Sequence, residues 1–565
     1  MVTYRRLTLK EAINQSRTLF PNRPSLAFVG DSAMSYKELS IAIKNTSSLL
    51  LTLGVEKGDR VALLGENSPS WGIAYLAITC MGAVVVPILP EFSDVEVAAI
   101  LDHSQAKAMF ITAKLYPKLG KASSSSLLNT ILLNNFEVIP PLGAKIERGM
   151  GYNQPSSNVN IDFSDIDIPE PMEEDLAAII YTSGTTGSPK GVMLTHKNLV
   201  SNALSTFQIQ EISSTDRLVS ILPLSHTYEC TVGFIMPLMR GASVYYIQKP
   251  PTSSVLLPAV QKVKPTMMLV VPLIIEKIFR SKVLPQLTST QLKAWLYSVP
   301  LFRKLLHRIA AKKLLETFGG QLHFFGIGGA KLSFDVERFL FEGRFPYSIG
   351  YGMTETSPLL SGSAPSIVKF RCAGFSLPGQ EMKIVRNGKD QVEGEVWVRG
   401  ANVMQGYYRD EAKTAEVITA DGWLKTGDLG VIHPNGYLEL RGRLKNLIVS
   451  PSGENIYPED IEEVINSHSM VLESLVYEIS GKLEAKVLLN YEAIGAKCAD
   501  FKEVAINLQH DIQEKIANTM EDIRRYANSR VSSFSKLSVV VEQVEPFEKT
   551  PTHKIKRFIY LHEMS

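Results

Sequence analysis

From Ala177 to Leu194 the chain reads AAIIYTSGTTGSPKGVML: an apolar run, a glycine-rich and hydroxyl-rich segment, then a second apolar run. Apolar, β-branched runs of this length are buried strands, and the intervening residues must form a turn at the rim of a sheet. The glycines let the backbone approach a ligand closely. The hydroxyls of Thr182, Ser183, Thr185 and Thr186 can bond phosphate oxygens, and Lys190 adds a positive charge. A flexible linker has a similar composition but seldom joins two buried strands, so the segment reads as a phosphate-binding loop. It is not the loop of ordinary nucleoside triphosphatases, in which lysine directly follows the second glycine. Here Ser188 and Pro189 separate Gly187 from Lys190.

The rest of the chain suits such a loop. RVALLG (60–65), AVVVPIL (83–89), AMFIT (108–112), AAIIYT (177–182) and TMMLVVP (266–272) alternate with amphipathic stretches, the pattern of parallel sheets flanked by helices. Lys121 to Pro155 is polar and reads as a surface loop broken by a short strand, LLNTILL. Between Gly394 and Leu440 short strands with Gly and Asn turns indicate a smaller β-rich subdomain. After Arg443 a small α/β unit is expected, with helices near Pro458 to Ser467 and Phe501 to Asn528. The fold class is therefore α/β. A large domain of parallel and mixed sheets occupies 1–443, a boundary falls at Leu444 and Lys445, and a small α/β domain occupies 446–565.

Composition excludes several classes. The 565 residues carry 59 basic and 57 acidic side chains, a net charge of +2 that offers no bulk attraction to nucleic acid. Cys80, Cys230, Cys372 and Cys498 lie far apart, without the spacing of a zinc or redox site, and read as buried thiols of a reducing compartment. The opening residues MVTYRRLTLKEAINQ bring charge before a secretion signal could form, so a cytoplasmic location is expected. Trp71 to Pro90 is twenty residues without a charge and imitates a membrane span. Gly82 and Pro87 favour instead a buried helix from Trp71 to Met81, a glycine turn, and a strand from Ala83 to Val86.

The segment YTSGTTGSPKG resembles the phosphate-loop signature of adenylate-forming enzymes, a superfamily that includes acyl-CoA synthetases, firefly luciferase and peptide-synthetase adenylation domains. Further blocks follow in the family's order, so the resemblance covers about Tyr36 to Arg557. It implies that Thr182, Ser183, Gly184, Thr185, Thr186, Gly187 and Lys190 hold the phosphates of ATP. In GIGGAKL (326–332), Gly328, Gly329 and Ala330 would line the nucleotide with backbone. In YGMTET (351–356), Tyr351 would stack on adenine beside Gly352, and Thr354 would touch phosphate. Glu355, with Thr182, would bind Mg2+. These assignments suit the chemistry, since a hard cation favours carboxylate and hydroxyl oxygen and a purine favours an aromatic face. In GWLKTGDLG, Asp428 would accept both ribose hydroxyls, and in GRLKN, Arg443 would contact ribose or phosphate and Lys445 would be the hinge on which a mobile C-terminal domain turns.

In LPLSHTYE, His226 resembles the residue that borders the acyl and pantetheine channels. Thr227 and Tyr228 follow it, with no counterpart of the tryptophan gate of some long-chain relatives. In KTPTHKIKR, Lys554 falls on the family's catalytic lysine, with Lys549 and Lys556 as nearby competitors. His553 replaces a glycine common in short-chain relatives, and the ending resembles long-chain fatty acid ligases. The implied activity is an ATP-dependent, AMP-forming acyl-CoA synthetase acting on a carboxylic acid, a long-chain fatty acid above others, with coenzyme A as co-substrate. The alternatives are another carboxylic acid, or the thiol of an acyl carrier protein as acceptor. No nucleic-acid partner and no transmembrane segment are expected, and peripheral membrane contact is left open.

Overall fold

The computed structural model describes residues 4–121, 127–139, 167–182, 190–386, 388, 392–450, 454–491, 508–550 and 554–562. Its centre is the stretch that imitates a membrane span. Ser68 accepts from the backbone N–H of Trp71 at 3.1 Å, Pro69 occupies the first turn, and the helix Pro69–Cys80 follows. Gly82 turns the chain at φ +80°, and the strand Val84–Ile88 begins. The helix is buried on every side from Ser70 to Cys80, which explains why it is apolar all round. Among the described residues, no helix is long and apolar enough to cross a membrane.

Two large sheets enclose this helix. The first has eight strands in the order Gly406–Tyr407, Lys190–Thr195, Leu176–Thr182, Val84–Ile88, Arg60–Leu64, Ala108–Ile111, Asn129–Leu132 and Val138–Ile139. Its inner strands pair in parallel, whereas Leu176–Thr182 and Lys190–Thr195 are antiparallel neighbours joined through the glycine-rich loop. The second has seven strands in the order Tyr347–Ile349, Phe324–Ile327, Met267–Val270, Arg217–Ser220, Ser243–Tyr246, Pro24–Phe28 and Met34–Ser35. A Cβ on Gly72 of the central helix would meet Phe234 at 2.9 Å and Leu26 of the second sheet at 3.1 Å, so the helix is pressed closely between layers.

The small antiparallel sheet is larger than the sequence pattern indicated. It has four strands, Gln380–Val385, Gly394–Gly400, Leu424–Ile432 and Leu438–Arg443, and so starts before Gly394. Gln380–Val385 is a half-buried edge strand without clean alternation, which is why it gave no period-two signal. Of the polar stretch from Lys121 to Pro155, 122–126 and 140–155 lie outside the described residues, and the short strand is Asn129–Leu132.

Beyond Arg443 a three-stranded sheet (Val471–Ile479, Lys482–Leu489, Leu537–Glu542) packs with the helices Pro458–Asn466 and Leu508–Asn528. One buried cluster runs from Leu9 to Leu438, and a separate one runs from Ile456 to Val540. Polar contacts join the two parts. Arg371 pairs with Glu463 at 2.8 Å, Lys331 with Asp460, and the Arg280 guanidinium donates to the Asn466 carbonyl at 3.1 Å.

Candidate active site

The glycine-rich segment leaves the first sheet at Thr182 and re-enters it at Lys190, and these two residues are register partners. Ser183, Gly184, Thr185, Thr186 and Gly187 lie outside the described residues. The Lys190 ammonium sits 5.5 Å from the centre of the Tyr407 ring. Tyr407 lies on the two-residue edge strand against Val192, and its hydroxyl donates to Glu355 Oε1 at 2.9 Å. One aromatic side chain thus links the loop lysine to the acidic residue of YGMTET. Sequence reasoning missed Tyr407, because a tyrosine in an apolar strand usually signals only a core position.

The YGMTET segment is held almost entirely by backbone-directed hydrogen bonds. Thr354–Thr356 makes a single 3-10 turn, followed by a Ser357 at φ +71°. The Asn202 side-chain amide donates to the Leu359 carbonyl at 2.7 Å, and the Asn402 amide donates to the Thr356 carbonyl at 3.0 Å. Ser357 in turn donates to the Asn402 carbonyl at 2.9 Å. Gly352 is required sterically: an added Cβ would lie 1.9 Å from the Pro358 carbonyl oxygen. Asn202 and Asn402 carried no motif signal, since each lies far from YGMTET along the chain.

Asp428 is the electrostatic centre of the cleft. Its strand pairs it with Arg443, whose Nε lies 2.8 Å from Oδ1, and the Tyr351 hydroxyl donates to Oδ2 at 2.8 Å. Burial pushes the Asp428 carboxyl up, while Arg443, Tyr351 and Lys554 pull it down. Lys554 reaches the cleft from the C-terminal part. It is open to water locally but surrounded by protein on a wider scale, and this depresses its ammonium below the usual lysine value. Arg443 acts in the same direction, and Asp428 and Glu355 oppose it. Its loop is closed by Thr550, which donates through its backbone N–H to the Lys554 carbonyl at 2.8 Å. The competing lysines are engaged elsewhere: Lys549 pairs with Glu473, and Lys556 lies 3.8 Å from Glu548. Lys445, in the turn Leu444–Asn446, is also held low, by partial burial and then by Arg443 and Lys190. Lys190, Arg443, Lys445 and Lys554 therefore lie in one electrostatic neighbourhood with Glu355 and Asp428, and Asp410 and Glu416 also offset Lys190; around Asp428 the three cations Arg443, Lys445 and Lys554 favour a polyanion.

The GIGGAKL segment continues from the strand Phe324–Ile327. The Gly328 backbone N–H donates to the Val270 carbonyl at 3.1 Å, Gly329 turns at φ +88°, and Gly329 and Ala330 are exposed. Tyr228 packs against this segment, so that a Cβ on Gly328 would meet its ring at 3.2 Å. Two residues earlier, His226 lies at the mouth of a π-helical turn, Tyr228–Ile235, a widened geometry common at functional sites. Burial, and then Lys554, holds its imidazole down to about 4, so it is neutral at physiological pH. The next turn buries Glu229, whose carboxyl is pushed up to about 8 by burial. Its Oε2 finds no protein hydrogen-bond partner among the described residues.

The profile of the family described as AMP-binding enzyme matches residues 14–408, more than half of the chain. The chain belongs to the AMP-binding enzyme family. Among its relatives, the peroxisomal long chain acyl-CoA synthetase 6 of Arabidopsis thaliana is 32% identical over 93% of this chain and 79% of its own length. The human long-chain-fatty-acid–CoA ligase 1 is 28% identical over 93% and 80%. Among solved structures, the o-succinylbenzoate coenzyme A synthetase of Bacillus subtilis in complex with AMP superposes with a TM-score of 0.72 at 24% identity, covering 97% of both chains. The anthranilate CoA ligase AuaEII in complex with anthranoyl-AMP gives 0.75 at 18% identity, covering 100% of this chain and 98% of its own. These two share the fold of this chain, the α/β architecture expected from sequence.

Proposed function

We propose that this chain is an ATP-dependent acyl-CoA synthetase that activates a long-chain fatty acid as its acyl-adenylate and passes the acyl group to coenzyme A, with release of AMP and pyrophosphate. The observation that carries this reading is the meeting of Lys554 with Arg443, Asp428 and Glu355 in one cleft, from two parts of the chain with separate cores. In the first step the fatty acid carboxylate attacks the α-phosphate and pyrophosphate leaves. Lys554 stabilises the charge gathering at that phosphate, while Lys190 and the Thr182 loop hold the departing phosphates. Asp428, fixed by Arg443 and Tyr351, receives the ribose hydroxyls.

The residues fit Mg2+ as a passenger of the triphosphate rather than as a resident ion. Glu355 offers Oε2, since Tyr407 takes Oε1, and Thr182, the register partner of Lys190, offers a hydroxyl. No group of three or more His, Cys, Asp or Glu suited to a metal occurs among the described residues. When bound there, Mg2+ would neutralise phosphate charge.

In the second half-reaction the thiol of coenzyme A attacks the acyl carbonyl and AMP leaves. Neutral His226 borders that approach as a positioning group. The long-chain acid is favoured by the Arabidopsis and human relatives, whose names specify long-chain substrates. Coenzyme A is favoured over a carrier protein by the same names. We assign the domain boundary and hinge to Leu444 and Lys445. The division of the buried clusters on either side supports this, as does the polar character of the joining contacts, which can be exchanged at little cost.

The test separates the half-reactions. Lys554→Ala should abolish acyl-AMP formation from palmitate and ATP in single turnover, yet convert supplied palmitoyl-AMP and coenzyme A to thioester at near the wild-type rate. Equal loss in both steps would refute the domain-alternation reading. Failure of the wild type to release pyrophosphate with any acid in a panel from short to long chain and aromatic would refute the activity.

A further inference from the structure

From Lys277 to Leu315 the chain contains no Asp or Glu, although acids and bases are balanced overall. Lys277, Arg280, Lys282, Lys293, Arg303, Lys304, Arg308, Lys312 and Lys313 all fall within this stretch. It folds largely into helices, of which Gln291–Ser298 and Pro300–Thr317 adjoin each other at the surface. The longer helix is fastened by His307, Ala311 and Leu314, one face at helical spacing. Its opposite face carries Leu301, Leu305 and Ile309, which are 75%, 56% and 50% exposed, with Phe302 beside them. The shorter helix buries no residue, and it adds Leu292 at 66% and Trp295 at 59% exposure. Tyr297, whose hydroxyl lies 3.2 Å from His307 Nε2, ties that helix down by its inner side.

Scattered exposed leucines are ordinary, but a contiguous apolar stripe on two adjoining helices is not. Around this stripe Lys293, Lys304, Arg308, Lys312 and Lys313 are exposed, and none takes part in an ion pair recorded among the described residues. An apolar stripe flanked by unpaired lysines and arginines is the pattern of a helix lying in the interface of an anionic bilayer. Charge decides the occupant. A second copy of the chain meeting this face would bring the same cations against themselves, whereas anionic headgroups neutralise them while the acyl region receives the leucines and Trp295.

We propose that the helices Gln291–Ser298 and Pro300–Thr317 form a docking surface for an anionic membrane, with Trp295, Leu301, Leu305 and Ile309 inserted and the flanking lysines and arginines on the headgroups. The surface does not depend on which acid the cleft activates. Docking would hold the chain where poorly soluble acids are dissolved.

The full chain is floated with vesicles of phosphatidylcholine alone, or with about one-third phosphatidylglycerol, at about 0.1 M salt. The wild type should bind the anionic vesicles and not the neutral ones, with a blue shift of tryptophan emission that Trp295→Phe removes. The pair Leu305→Glu and Ile309→Glu, and separately Lys304→Glu and Lys312→Glu, should each lower the bound fraction roughly tenfold or more. All four positions are exposed, and unchanged circular dichroism checks the fold. Equal binding by wild type and both variants would overturn the assignment, as would no binding of wild type to anionic vesicles. A wild-type dimer in solution that the Leu305→Glu and Ile309→Glu pair dissociates would also overturn it, in favour of self-association.

Discussion

Replacing Asp428 by alanine separates its structural role from its proposed role in holding ribose. In the folded chain two groups lose their acceptor. The Tyr351 hydroxyl, in a side chain only 8% exposed, is left unpaired at a cost of about 1–3 kcal/mol. Arg443, 40% exposed, recovers water and forfeits about 0–1 kcal/mol. Stability should therefore fall by about 1–4 kcal/mol. The nucleotide should lose hydrogen bonds to a charged acceptor, about 1.5–3 kcal/mol, or roughly 10- to 150-fold in Kd. A compensating effect works against this, because removing an anion from a cationic cleft favours the triphosphate. Comparing ATP with 2′-deoxyATP by calorimetry cancels that effect, since both carry the same phosphates. The wild type should prefer ATP, and Asp428→Ala should lose most of the preference. Asp428→Asn, which keeps an acceptor for Tyr351, should be more stable than the alanine variant. An unchanged preference in Asp428→Ala would remove Asp428 from the ribose site and leave it as the clamp for Tyr351 and Arg443.

Three further outcomes follow from the geometry. Glu355→Gln keeps an acceptor for Tyr407, so thermal unfolding should be nearly unchanged while pyrophosphate release falls by roughly two orders of magnitude or more; near wild-type turnover at saturating magnesium would refute the assignment. Gly352→Ala drives a Cβ into the Pro358 carbonyl and should displace the YGMTET turn, with a loss of about 2 kcal/mol or more and of nucleotide binding; a variant with the wild-type melting temperature would contradict the contact. Burial raises Glu229 to about 8 from an ordinary value near 4.5, so between these limits the folded chain keeps a proton that the unfolded chain has released, and stability falls as pH rises through the window. Glu229→Gln, which cannot ionise, should therefore gain on the wild type by up to a few kcal/mol between about pH 5 and 8.5 in thermal melts, and a pH-independent difference would refute a protonated Glu229.

Much of this protein was legible from residue order alone, because its determinants are local. An apolar run with a glycine punctuation must bury itself as helix, turn and strand, and Trp71 to Pro90 does so through the cap at Ser68 and the turn at Gly82. The strands on either side of the glycine-rich segment, the family and the α/β class follow from the same short-range patterning and from motif residues that are contiguous in the chain. Tertiary structure alone decided how the cleft is assembled. Tyr407 reaching Glu355, Asn202 and Asn402 holding the turn at Thr356, and Tyr351 and Arg443 sharing Asp428 all join residues distant in sequence, whose pairing no periodicity encodes. The same holds for the surroundings of Lys554, which the resemblance places on the family's catalytic lysine, and of its neighbours Lys549 and Lys556. Two are drawn to Glu473 and Glu548 and one is left facing Asp428, because side-chain electrostatics depends on which strands and loops the fold brings within a few ångströms.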